Sequence, residues 1–350
     1  MSGAGNDVLI RVEGRAGRIT LNRPAALNAL TWDMCLAIEQ ALDGWRSDDA
    51  VHVVLIDGAP GRAFCAGGDI VAMHRAGLAR DWSYGRRFWT DEYRLNARLF
   101  HYPKPCLTFL HGFTMGGGVG VGCHGSHRIV DDTSRIAMPE CAIGLVPDVG
   151  GSMILARAPG RLGAFLATTG HRMGPGDAIM AGFADHYVPG NWDDLKAELV
   201  ETGDAAAVLA AAAPAPPAPL AGWRAEIDAL FEGETLADVA RALPRADGPA
   251  AAVAREAFAR NAPLSMACTM AILRRLGDAP SIEEALGLEA RFTFRAAELA
   301  DFIEGIRAQV IDRDRAPRWS HPGPDAVPAE DVDRMLAPLG ADAPKLEGWG

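Results

Sequence analysis

The chain has no paired-cysteine motif. Its six cysteines, at 35, 65, 106, 123, 141 and 268, include no CxxC. That spacing argues against a disulfide framework or a thiolate zinc site, and the thiols are expected to be reduced and mostly buried. No apolar run reaches membrane-spanning length; the Ala205–Pro219 run is too short and too rich in proline. Met1 to Asp7 lacks a basic and apolar leader pattern, so a cytoplasmic protein with no membrane partner is expected. Basic residues are few: 34 Lys and Arg stand against 45 Asp and Glu, for a net charge of −11. Backbone binding to nucleic acid needs a basic face, so no nucleic-acid partner is expected. An anionic ligand stays open, because backbone N–H groups bind anions without net positive charge. A G-x-S-x-G elbow is missing, which weakens a serine-hydrolase reading. His124 and His127 have no third ligand at metal spacing, so no metal is expected. Gly120 to Gly125 matches G-x-G-x-x-G, yet the strand before it ends ten residues too early for a dinucleotide turn.

What is present fits an enzyme-sized globular chain. The 350 residues are 49% hydrophobic and 23% charged, enough for one large core or a core with an accessory domain. Val8–Val12 and Ala16–Leu21 read as a hairpin turning at Glu13-Gly14-Arg15. A helix follows from about Thr31, with Met34, Ile38, Leu42 and Trp45 on one face. Val51–Ile56 and Cys106–Leu110 read as buried strands, Tyr84–Phe100 as a helix, and Ile129-Val130 and Ile136-Ala137 as short strands. Strand, loop and helix alternate, so the fold class is α/β. Residues 1–200 form this core. An Ala/Pro-rich connection, expected to be loosely ordered, covers 201–219. Residues 220–315 are helical, over Leu220–Leu243, Ala250–Arg275 and Ser281–Ala308, the last with a capping-box start at Ser281. Residues 316–350 read as a surface tail.

Three motifs bear on chemistry. In Phe64–Ile70 the Gly67-Gly68 pair lets the backbone approach a ligand, and Asp69 fits a helix N-cap; an ordinary strand-to-helix turn reads equally. In His111–Gly118 three adjacent glycines free N–H donors for an oxyanion or phosphate, or simply give a flexible loop. The third is an acid pair. Glu140 and Asp148 each follow a proline, in apolar surroundings that disfavour the charged form and sharpen reactivity. The plain alternatives are solvated loop charges, or Asp148 as a cap for a helix starting near Gly150-Gly151.

Taken in order, Ile19–Pro24 with Leu27–Leu30, Phe64–Ile70, Gly112–Gly118, Met138-Pro139-Glu140 and Gly150-Gly151 resemble the crotonase (enoyl-CoA hydratase/isomerase) superfamily. Glu92–Asn96, Thr114–Gly120, Pro139–Gly151, Asp301–Ala308 and Ile311–Asp314 look like its 3-hydroxyisobutyryl-CoA hydrolase group. The resemblance implies a crotonase-like spiral of ββα units with a helical C-terminal region, and an acyl-CoA substrate. It implies no separate cofactor, since coenzyme A is part of the substrate. A homo-oligomer is a further implication, as is a place in valine breakdown. By position Gly68 and Gly117 supply the oxyanion-hole N–H groups. The first of a hydratase's two catalytic glutamates would fall on Gly120; the second is retained as Glu140. Where hydratases have Pro-Gly-x-Gly-Gly, this chain has Pro147-Asp148-Val149-Gly150-Gly151. The implied activity is hydrolysis of a short hydroxyacyl-CoA thioester, first 3-hydroxyisobutyryl-CoA. Glu140 would act as nucleophile or as base to water, while Asp148 and Glu92 hold the substrate hydroxyl or position water. An enoyl-CoA isomerase or hydratase, and a non-catalytic acyl-CoA-binding scaffold, are the alternatives.

Overall fold

In a computed structural model of the chain, residues 6–346 are described. The nine strands among them are β1 (Val8–Glu13), β2 (Ala16–Leu21), β3 (Val53–Gly58), β4 (Ala63–Cys65), β5 (Cys106–Phe109), β6 (Phe113–Met115), β7 (His127–Val130), β8 (Arg135–Ala137) and β9 (His186–Tyr187). Six form one sheet in the order β1-β2-β3-β5-β7-β9, and three form a second, β4-β6-β8. Only β1 and β2 pair antiparallel; every other ladder is parallel. Each turn of the chain thus lays one strand in the large sheet and the next in the small one, then crosses back through helix. This is the expected ββα spiral. β3 and β5 are almost wholly apolar and buried because both faces of the large sheet are covered. One face belongs to the main core; on the other, Leu55, Leu107 and Phe109 meet Trp192, Leu195 and Leu199.

The helices follow their caps. Thr31 accepts the Met34 N–H at 3.2 Å and starts helix Trp32–Trp45, which buries Met34, Ile38, Leu42 and Trp45. Asp81 starts helix Trp82–Phe100, two residues earlier than its apolar pattern suggests. Trp89, Glu92, Tyr93 and Asn96 share its buried stripe. Gly117–Gly122 is a helix despite its glycines, because nothing larger fits: a Cβ on Gly118 would lie 2.2 Å from the Cys65 carbonyl oxygen.

Several expectations need correction. The cap position of helix Val71–Leu78 is Ile70, one residue past the expected Asp69, whose carboxylate accepts the Val71 N–H at 3.4 Å and pairs with Arg23 at 2.9 Å. The Ala/Pro-rich stretch carries a helix, Ala206–Ala211, and is tied down by the Ala213 N–H on the Tyr187 carbonyl. The three long C-terminal helices are interrupted. Leu220–Leu243 splits around Phe231–Thr235, and Ala250–Arg275 splits at Asn261-Ala262, where Pro263 opens a new helix. Ser281–Ala308 becomes Ile282–Leu299, Phe302–Ile306 and a π turn over Arg307–Ile311. The tail from 316 carries a helix, Ala329–Met335, anchored by buried Met335 and Leu336. One apolar core runs from Val8 to Leu346, so the C-terminal helices pack into the same core as the spiral. All six cysteines are buried and unpaired. No helix among the described residues is long and apolar enough to cross a membrane.

Candidate active site

Gly67 and Gly116 bring two loops side by side. Both adopt positive φ, 124° and 49°, which glycine tolerates. Leu30 bridges the first loop: its N–H donates to the Gly67 carbonyl at 2.9 Å, and its carbonyl accepts from Asp69 at 2.8 Å. Those bonds turn the Gly68 amide the other way, toward the second loop. A Cβ on Gly117 would lie 3.2 Å from the Gly68 nitrogen, so the two amides are neighbours. Gly117 opens a helix, where the first N–H groups have no intrahelical partner. Two carboxylates flank this pair. Glu140 Oε1 comes within 2.8 Å of the space a Cβ on Gly116 would fill, and Glu92 Oε1 within 3.0 Å of that on Gly117.

All five residues expected from sequence, Gly68, Glu92, Gly117, Glu140 and Asp148, line one cavity of about 320 Å³. That size suits a small-molecule site. Its walls are otherwise mostly apolar, with Trp89, Met73 and Leu145 from the spiral and Phe302 and Val310, beside the polar Gln309, from the C-terminal region. A larger cavity, about 510 Å³, lies beside Phe100, His124 and Arg157, but it contains none of the acids and neither glycine loop.

The electrostatics are one-sided. No lysine, arginine or histidine lines the acid cavity. Burial, then the charges of Asp148 and Glu289, push Glu140 well above the usual carboxylate range, against a pull from its own amide. Burial and the same two neighbours do likewise to Glu92. Asp148 is pushed up by burial to about 7, even though the Tyr93 hydroxyl donates to its Oδ2 at 3.0 Å. Glu140 Oε2 is buried with no hydrogen-bond partner in the protein. A buried acceptor of that kind is held ready for a ligand or water. No metal-holding cluster of His, Cys, Asp or Glu occurs among the described residues.

Asp148 does not cap the helix that follows it. Helix Gly151–Arg157 has Gly150 at its cap position with no side-chain bond from its own loop. The cap is Glu289, from helix Ile282–Leu299. Its carboxylate accepts the Gly150 N–H at 2.9 Å, the Ser152 N–H at 3.1 Å, and the Ser152 hydroxyl. Glu289 is fully buried, and burial with the Asp148 charge lifts it to about 8. Sequence reasoning missed it. The signal was there: Glu289 interrupts an apolar stripe of Ile282, Ala285, Leu286, Phe292 and Ala296. His124 completes the loop's supports. Burial lowers it to about 4, so the ring is neutral and Nε2–H donates to the Val149 carbonyl at 2.7 Å. Arg23, beside the first glycine loop, is engaged with Asp69 at 2.9 Å and with the Ala29 carbonyl at 2.6 Å.

Comparison with known proteins agrees with this architecture. The enoyl-CoA hydratase/isomerase family model matches residues 16–336. The mitochondrial 3-hydroxyisobutyryl-CoA hydrolase of Danio rerio is 37% identical over 351 residues, 97% of this chain and 91% of that protein. The human protein of the same name is 35% identical over 356 residues, covering 97% and 90%. Among solved structures, an enoyl-CoA hydratase from Rhodobacter sphaeroides 2.4.1 superposes with a TM-score of 0.93 at 56% identity, covering 97% of this chain and 99% of that one. A carnitinyl-CoA dehydratase from Mycobacterium thermoresistibile gives 0.93 at 43%, covering 98% and 100%. The chain belongs to the enoyl-CoA hydratase/isomerase, or crotonase, family, and is related along nearly its whole length to 3-hydroxyisobutyryl-CoA hydrolases.

Proposed function

We propose that the protein hydrolyses a short hydroxyacyl-CoA thioester, with 3-hydroxyisobutyryl-CoA the first substrate to test. The observation that carries this reading is at Gly120. A Cβ there would lie 2.7 Å from Asn96 Nδ2 and 2.8 Å from the Val149 Cβ. A hydratase's first glutamate has no room there, and the acids in the cavity are Glu140, Asp148 and Glu92 instead. Water addition across C=C draws on two acids beside the double bond; attack at the thioester carbonyl needs one base and an oxyanion hole.

In this reading the thioester oxygen sits between the N–H groups of Gly68 and Gly117. As the carbonyl becomes tetrahedral its oxygen gains charge, and each donor stabilises that charge by about 3 kcal/mol. Glu140 in its ionised form either takes a proton from water or attacks the carbonyl itself. The C–S bond then breaks, water opens the mixed anhydride where Glu140 itself has attacked, and the products are the carboxylate, coenzyme A thiol and a proton. A Glu140 lifted toward neutrality by its dry surroundings is a stronger base than an exposed carboxylate. Asp148 and Glu92 hold the substrate hydroxyl; a carboxyl near 7 serves equally as donor or acceptor to it. Coenzyme A enters as part of the substrate, and no other cofactor is called for.

A second reading, enoyl-CoA hydration or its reverse, has support in the descriptions of the two solved structures. One assay separates them. Thiol release from 3-hydroxyisobutyryl-CoA, followed with a thiol reagent, marks hydrolysis. Loss of enoyl absorbance from an enoyl-CoA without thiol release marks hydration. Tight acyl-CoA binding with neither signal across both substrates would leave only a binding scaffold.

A further inference from the structure

The turn that presents Asp148 is unusual. Val149 and Gly150 both have left-handed backbones, with φ of 53° and 76°. For a β-branched residue that conformation is a genuine outlier, kept only where the surroundings over-determine it. Three supports do so. Tyr93 holds the Asp148 side chain, His124 holds the Val149 carbonyl, and Glu289 gathers the amides of Gly150 and Ser152.

We propose that Glu289 is a positioning residue of the active site: from the C-terminal helix it takes over the helix cap that Asp148 would otherwise make, and so leaves the Asp148 carboxylate turned into the acyl cavity. The competition is local. An aspartate just ahead of a helix start readily accepts from the amides that follow it. Here the Gly150 and Ser152 amides are bonded to Glu289 and the Gly151 amide to the Asp148 backbone carbonyl, and the Asp148 carboxylate is left to Tyr93 and Trp89. The cap needs two oxygens, because both Glu289 oxygens face donors: Oε2 the Gly150 N–H, Oε1 the Ser152 N–H and hydroxyl. An amide would aim its own N–H₂ at one of them. The proposal rests on Asp148 acting in the cavity as described above.

The test is Glu289→Gln in the full-length protein, with thiol release from 3-hydroxyisobutyryl-CoA as the assay. The expected result is a fall in kcat of about tenfold or more, with KM within about threefold, since ground-state binding is little changed. In an Asp148→Asn background the same substitution should add little, because two residues acting as a unit are non-additive. Glu284→Gln, which weakens the cap of the same helix without touching the turn, should keep wild-type kcat. Ser152→Ala, a milder loss of one bond, should give a smaller fall and guards against a Gln variant that does not fold. A wild-type kcat in Glu289→Gln, multiplicative losses in the double variant, or an equal loss in Glu284→Gln would each overturn the proposal. A crystal structure of Glu289→Gln decides it independently of activity. Asp148 should have left Tyr93 for the freed Gly150 amide; an unmoved turn sinks the idea. Wild-type protein that releases no thiol defeats the hydrolase reading instead, and the variant's structure still judges the positioning claim.

Discussion

Replacing Asp148 with Asn should stabilise the fold at alkaline pH while lowering activity, and the pH dependence of that gain is the informative part. Asp148 titrates at about 7 in the fold against an ordinary 3.8. Its neutral form is therefore the one the structure prefers. Below the unfolded value both states are protonated and nothing is lost; stability then declines as pH rises through about 7, and the decline stops above it. Roughly three pH units at about 1.36 kcal/mol each amount to about 4 kcal/mol at pH 8. Asn keeps the Tyr93 hydroxyl as donor but brings a buried N–H₂ in need of an acceptor, at a cost of about 1–3 kcal/mol. The variant should be more stable than wild type by about 1–3 kcal/mol at pH 8, and less stable than wild type near pH 4. Urea unfolding at pH 4, 6 and 8 measures the difference. A gap that stays constant over that range, or widens toward acid, would refute the reasoning. Thiol release by the same protein should fall but stay measurable, which separates stability from function at one residue.

Glu140→Gln should lower kcat by about 10²–10⁴ while acyl-CoA binding, measured by calorimetry, survives; full turnover in that variant ends the proposed mechanism. Because Glu140 must be ionised to act and its titration is raised from 4.5, kcat should fall as pH drops through a value above the ordinary carboxylate range. A pH–rate profile whose acid limb sits at or below 4.5 contradicts this. Gly120→Glu should not create a hydratase: the side chain meets Asn96 and Val149, so a loss of about 1–3 kcal/mol in stability and no enoyl-CoA hydration are expected. Gly150→Ala puts a Cβ 2.8 Å from His124 Nε2 at positive φ, and a lowered melting temperature with reduced thiol release should follow.

Much of the site was legible because its parts are local. Paired glycines, and the acids Glu140 and Asp148 set among apolar residues, announce themselves over a few positions, whereas Glu92 was found through the family resemblance; all meet in one cavity with Gly68 and Gly117. The hairpin and the buried strands were legible for the same reason. β4 and β6 were hidden: each has three residues, too few for a period, and they exist only because parallel neighbours supply their hydrogen bonds. The breaks in the C-terminal helices were half legible. Pro263 fixes one, whereas Ala300-Asp301 breaks the last helix with no proline or glycine. Glu289 depends on a partner far away in sequence, so only its odd place in an apolar stripe hinted at it.

The cap from Glu289, together with the Phe302 and Val310 walls, has a consequence for the chain as it leaves the ribosome. Every proposed catalytic residue emerges within the first half of synthesis. The turn bearing Asp148 has no cap, and the acyl cavity has no far wall, until the last third of the chain is made and docked. A truncated or stalled product would carry the acids and the glycine loops yet have no finished pocket. The proposed thioester hydrolysis thereby draws on residues from both the early and the late parts of the chain.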